Sequence, residues 1–160
     1  MSKKIVVVVA LFATLFVSCK SKSAFNFNQE LVAKENGMIP VVNKGESSIT
    51  EFYNAGNFDS VYAVSDRLEK YVQLNIDEVE VIKTPDVKEA DNFKAAYVKA
   101  FKALKNIYSN YKAVSTAKSD EDRQLLLEDL EKLVKDKNDA VKDMQAAQRK
   151  YASENGFKVQ

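Results

Sequence analysis

The chain has very few places to turn. Glycine stands only at Gly37, Gly45, Gly56 and Gly156, and proline only at Pro40 and Pro85. Tight turns draw on these two residues for backbone conformations that others reach only at a cost. A β-sandwich of 160 residues would need many more of them. Long helices need few, and the abundance of Ala, Lys, Glu, Leu and Val agrees with helix. The spacing of apolar residues between the breaks then identifies the elements.

Segment one, about 26–53, places Phe27, Leu31, Met38, Val42, Ile49 and Phe52 at helical spacing. Pro40 lies inside it, three residues after Gly37, with Gly45 a further weak point. An interior proline removes one backbone hydrogen bond and clashes with the preceding turn, so a kink above ~20° or a full break is expected between Asn36 and Val41. Around Gly56 the chain turns, and Asn57 or Asp59 caps the next helix. Segment two, about 59–82, carries the stripe Val61, Val64, Leu68, Val72, Ile76 and Val79. Its end, "DEVEVI", alternates like a strand, but no neighbouring segment offers a pairing partner, so helix is preferred. Thr84 and Pro85 fit an N-cap and first helical position. Segment three runs from there to about Thr116, with Phe93, Tyr97, Ala100, Phe101, Leu104, Ile107, Tyr108, Tyr111 and Val114 on one face. Ser119, with Asp122 three residues on, opens segment four. Its stripe is Leu126, Leu130, Leu133, Val134, Val141, Met144, Ala147 and Tyr151, and Gly156 closes it with Phe157 folding back. Four amphipathic segments on short turns predict an all-α, up-down-up-down four-helix bundle over residues 26–160, its first helix kinked or broken. Leu104 and Leu130 are expected in the core.

Ahead of the bundle, Lys3 and Lys4 precede "IVVVVALFATLFV", 13 uncharged residues ending at Val17. A spanning helix needs roughly 20 apolar residues; this run has the length of a signal-peptide core. It is followed by the small Ser18 and by Cys19, the only cysteine. "LFVSC" resembles a bacterial lipobox, with Phe16 standing at the position where Leu is commonest. The resemblance implies a signal peptide over residues 1–18, cleavage between Ser18 and Cys19, and acyl chains such as palmitate on Cys19. Residues 19–25 then form a short polar tether, about 20 Å long when extended. Each buried acyl methylene contributes about 0.8 kcal/mol, so two or three chains hold a protein on a bilayer durably. The architecture, together with the ending "QAAQRKYASENGFKV", is similar to helical lipoproteins of unknown activity from Gram-negative bacteria. In such proteins an Asp after the cysteine marks inner-membrane retention. Lys20 stands here and no acidic run follows, which implies the outer membrane and its periplasmic face.

Little else in the sequence carries chemistry. Histidine is absent, which removes the commonest general base and metal ligand. With Cys19 acylated, thiolate and imidazole metal sites are excluded, as are the Glu-x-x-His pairs of bundle di-iron sites. No phosphate loop or dinucleotide fingerprint occurs. Pairs such as Glu128 and Glu131 read as a solvated helix face, and the acids of "SDEDR" read as a helix start. No cofactor, no metal and no enzymatic activity are expected. The signal holds two of the 24 basic residues and none of the 23 acidic ones. The remainder is therefore near neutral, which argues against nucleic-acid binding.

Two uneven features remain. Between Lys94 and Lys118 there are six lysines and no acid, whereas segment two holds six acids and two bases. Either the two helices pair, or Lys94, Lys105 and Lys112 form a stripe for anionic ligands. Tyr97, Tyr108 and Tyr111 belong either to the core or to a groove for a sugar or peptide. The expected function is a non-enzymatic, lipid-anchored binding or structural module of the cell envelope. Its partners would be the membrane, through the N-terminal lipid, and an envelope protein or ligand. The alternative is a receptor for a small ligand, glycan or peptide, with a tyrosine-lined groove near the break in the first helix.

Overall fold

A computed structural model describes residues 3–159, those before residue 20 by their backbone alone. The processing and acylation expected at Ser18 and Cys19 therefore lie outside the described side chains. Four helices follow one another: α1 (Lys3–Asn54), α2 (Phe58–Val81), α3 (Ala90–Thr116) and α4 (Asp120–Glu154). No strand occurs among the described residues, and "DEVEV" is helical. Short connections make successive helices antiparallel, and each packs on the next. The first and last helices meet where the Tyr151 hydroxyl donates to the Ala24 carbonyl at 3.1 Å and the Gln148 amide donates to Asn28 Oδ1 at 2.9 Å. The bundle is thus up-down-up-down.

The turns form where the sequence provides for them. Gly56 sits at φ 69°. Its N–H donates to the Tyr53 carbonyl at 3.0 Å and that of Asn57 to Phe52 at 2.9 Å, which satisfies the last carbonyls of α1. Asn57, and not Asp59, caps α2, its Oδ1 accepting from the Ser60 N–H at 3.2 Å. Ser119 caps α4 by accepting from the Asp122 N–H at 3.0 Å. After α4, Gly156 is left-handed at φ 74°. The Phe157 N–H then donates to Ala152 at 3.1 Å, and the Phe157 ring returns to meet Tyr151 edge-on at 5.8 Å.

Three expectations are corrected. First, α1 is continuous through Pro40, so of the expected kink or full break the full break is absent. Apolar side chains on both sides of the proline share one buried face, with Leu31, Met38 and Ile49 all buried, and that packing holds the helix together. Second, Thr84 and Pro85 do not start α3. The Val87 N–H donates to the Pro85 carbonyl at 2.8 Å in a tight turn, and Glu89 at φ 62° precedes the helix. Contacts to α4 hold this connection: the Asn155 amide donates to the Lys88 carbonyl at 2.9 Å, and Lys150 pairs with Glu89 at 2.8 Å. Third, the stretch 19–25, expected as a short tether ahead of the bundle, is helical and continues into α1. Ala24 is fully buried, and Phe25 meets Phe157 edge-on at 5.7 Å.

The core is densest at the end where α1 and α4 meet. Phe93 stacks on Tyr151 with ring centroids 4.9 Å apart, and Phe27 and Tyr97 approach edge-on at 6.1 and 5.2 Å. Such pairs add about 0.5–1.5 kcal/mol each beyond the area they bury. All six stripe residues of α2 are buried. The stripe of α4 is not covered evenly. Met144 and Tyr151 are buried, but residues 120–139 include no buried side chain, and Val134 is exposed. Leu104 and Leu130 pack against the core from its margin, half-buried.

Candidate functional site

The lysine row of α3 lies between α3 and its neighbours, and its charges are taken up there. Lys112 donates to Asp66 and to Glu69 of α2, both at 2.8 Å. These bonds raise the pKa of the Lys112 ammonium above the ordinary lysine range. The Lys112 hydrogen bond, followed by that of Lys70, holds the Asp66 carboxyl below the usual carboxylate range. For Glu69, burial pushes the carboxyl up, but hydrogen bonds from Lys112 and Ser109 more than offset it. Lys105 donates to Gln73 Oε1 at 2.8 Å. Lys94 donates to the Glu80 and Ile82 carbonyls at 2.7 and 2.6 Å, closing the C-terminal end of α2. Lys102 pairs with Glu80 at 3.0 Å and Lys99 with Asp143 at 2.7 Å. Part of the charge asymmetry of segments two and three is thus met by pairing between the helices, through Lys102 and Lys112.

The three tyrosines do not surround one cavity. Tyr97 and Tyr108 are buried on the core face of α3. Each hydroxyl reaches α1, donating at 3.0 Å to Glu35 Oε2 and to Glu46 Oε1 respectively. Burial first, and then the facing carboxylate, pushes both phenols far above the usual tyrosine range. They therefore act as neutral donors that pin α1 across α3. Tyr111 is half-buried, and burial followed by Glu46 and Tyr53 raises its pKa too. It borders a hollow of about 240 Å³ between α1 and α4, together with Ile49, Leu127 and Leu130. Nearer the dense end, the same seam opens a second hollow of about 210 Å³ between Met38, Val42, Phe101, Leu104 and Met144, with Glu35 and Glu46 at its edge.

A larger cleft lies elsewhere, between α1 and α2. It encloses about 600 Å³ and is lined by Pro40, Val41, Gly45, Val64, Leu68 and Tyr71, with Lys44 and Arg67 contributing cations. Two features of "NGMIPVVNKG" build it. Proline leaves the Asn36 carbonyl without its helical donor, and the neighbouring Gly37 carbonyl accepts from the Tyr71 hydroxyl at 3.3 Å. At Gly45 an added Cβ would fall 2.5 Å from Leu68 Cδ1, so only glycine lets α2 approach this closely. The sequence signals Pro40 and Gly45 as weak points, but their joint use against Leu68 and Tyr71 depends on which helix lies opposite, and periodicity does not state that.

Among the described residues no group of three or more His, Cys, Asp or Glu side chains is placed to hold a metal ion. Glu128 and Glu131 are exposed on α4. Asp120 of "SDEDR" pairs with Arg123 at 2.6 Å, and the Arg123 guanidinium lies 4.2 Å from the Phe58 ring centroid. No helix among the described residues is long and apolar enough to cross a membrane. Comparison with protein-family models, curated proteins and solved structures gives no match.

Proposed function

We propose that the chain is a lipid-anchored, non-enzymatic helical protein of the cell envelope, acting as a binding or structural module on the periplasmic face of the outer membrane. The observation that carries this reading is the position of the lone cysteine. Cys19 follows a 13-residue apolar run, with only Ser18 between, and stands five residues before Ala24, the first buried residue among the described side chains. Acyl chains there would be joined to a folded domain with almost nothing between. The filled aromatic core supports an interaction module over a protein enclosing a ligand, since the hollows open at helix seams. The partly covered apolar face of residues 120–139, with Leu125 and Val134 exposed, offers contact area away from the anchor.

One observation favours the alternative, a small-ligand receptor. The cleft beside Pro40 is apolar and carries two cations, Lys44 and Arg67, which suits an anionic amphiphile. The groove in this version is lined by Tyr71, because Tyr97 and Tyr108 are committed to the core.

The anchor is tested by changing Cys19→Ser in the native host. Unprocessed precursor and loss of metabolic lipid labelling are expected; labelling that persists in the variant would refute the anchor. Mass spectrometry of proteins captured with the anchored chain then separates the two readings, since a stoichiometric protein partner is expected only for the module.

A further inference from the structure

Building on the anchored reading, we propose that the end of the bundle beside Cys19 docks on anionic phospholipid headgroups, fixing the orientation of the domain on the membrane. Three parts of the chain meet at this end: the start of the packed part of α1, the α2–α3 connection, and the end of α4 with its tail. Phe25 against Phe157, Lys88 paired with Glu154 at 3.0 Å, and Lys20 4.0 Å from Asp86 hold them together. Because residues 19–25 are helical, five residues at 1.5 Å each put Ala24 only about 7.5 Å along the axis from Cys19. A domain held this close brings its end face to the headgroups.

That face has the charge for it. Residues 20–26, 82–91 and 149–159 hold seven Lys or Arg and four Asp or Glu. The opposite end, residues 51–60 and 115–124, holds two against five. The bundle is therefore polarised along its axis, although the whole chain is near neutral. Glu89 and Glu154 are already paired at the basic end, with Lys150 and Lys88. Lys22, Lys83, Arg149 and Lys158 are exposed and make no ion pair with a described carboxylate. These four contrast with the α3 lysines, whose charges neighbouring helices absorb. Apolar side chains accompany them: Val81 is 82% exposed and Phe25 42%. Cations mixed with exposed apolar groups suit the interface between headgroups and acyl chains, where basic residues gain from the negative surface potential.

The test uses the full chain purified from envelopes, with vesicles of phosphatidylcholine alone or with roughly one-third phosphatidylglycerol. Flotation reads the anchor, and amide exchange reads the face. The anchored protein is expected to float with both vesicles. Exchange in residues 82–89 and 156–159 should slow by about tenfold or more on the anionic vesicles only. The turns at 54–57 and 117–119 should stay unchanged. The slowing should vanish at about 0.5 M salt, where screening shortens to a few ångströms. Lys83→Glu combined with Lys158→Glu should float normally and exchange as on neutral vesicles. Flotation with both vesicles but equal exchange would overturn the docking face and leave the anchor standing. Flotation with the anionic vesicles alone would overturn the anchor and support the face. Flotation with neither would overturn both.

Discussion

Gly37 and Gly45 lie two helical turns apart on α1 and have opposite surroundings. An added Cβ at Gly37 meets nothing within 4 Å, whereas at Gly45 it meets three atoms of the Leu68 side chain inside 3.0 Å. In a helix interior, replacing glycine by alanine stabilises by about 0.5–1 kcal/mol when the added methyl is accommodated. Gly37→Ala should therefore raise stability by about that amount. At Gly45 the same gain opposes the overlap with Leu68, whose Cγ as well as both Cδ atoms lie inside 3.0 Å, so turning the tip of the side chain toward the cleft does not clear it. Overpacking of this kind costs about 1–3 kcal/mol, so Gly45→Ala should lower stability by about 1–2 kcal/mol. Denaturant unfolding of both variants checks the signs. Combining Gly45→Ala with Leu68→Ala should cost less than the two single changes added together, because the second removes the atoms that the first strikes. A stabilised Gly45→Ala would show that the helices separate easily there.

At the scale of the element, Pro40 is the feature that local rules weigh against α1 and that tertiary packing overrides. An interior proline disfavours a helix by about 3 kcal/mol relative to alanine, and the side chain is exposed, so its removal forfeits little buried area. Pro40→Ala should stabilise the protein by up to about 3 kcal/mol, read as a higher thermal midpoint. Tyr71→Phe should lower stability by about 1 kcal/mol through loss of the bond to the Gly37 carbonyl. If that bond compensates for the proline, Tyr71→Phe should cost less in the Pro40→Ala background; equal costs would show that the two are independent. The same override marks what was legible in advance. The stripe of α2 and the capping residues Ser119 and Gly156 were readable because each depends on local spacing or local hydrogen bonds. The start of α3 was not, because Lys88 and Glu89 are held by Asn155 and Lys150, more than 60 residues away. Nor was the fate of the α3 lysines or of Tyr97 and Tyr108, whose partners lie on other helices. Periodicity names the inward face of a helix but not what it meets.

Taken as a whole, the molecule is packed unevenly along its axis, and α4 records the gradient. Its second half contributes the buried residues Ala140, Met144, Tyr151 and Ala152, with Tyr151 stacked on Phe93 and bonded to Ala24. Its first half has no buried residue, and Leu125 is 62% exposed. What steadies residues 120–139 is partly the helix itself: the Ser119 cap, three acids in the first turn, and the pair between Lys135 and Asp139. Exposed i,i+4 pairs of this type add only about 0.3–0.5 kcal/mol. Fully burying one large apolar side chain adds about 1.5–3 kcal/mol. The two halves therefore differ in local stability by the burial of Met144 and Tyr151, less what the half-buried leucines of the first half contribute, and the first half should open without global unfolding. Amides in residues 124–136 should exchange at least about tenfold faster than those in 142–152, because each 1.4 kcal/mol of local stability corresponds to a factor of ten. Uniform protection along α4 would mean that the half-buried leucines pack as firmly as the aromatic cluster. A protein partner covering this face should slow the first half toward the rate of the second while leaving the second unchanged. Such a result would place the binding surface of the module at the end of the bundle farthest from the anchor, where the apolar face is least covered by the chain itself.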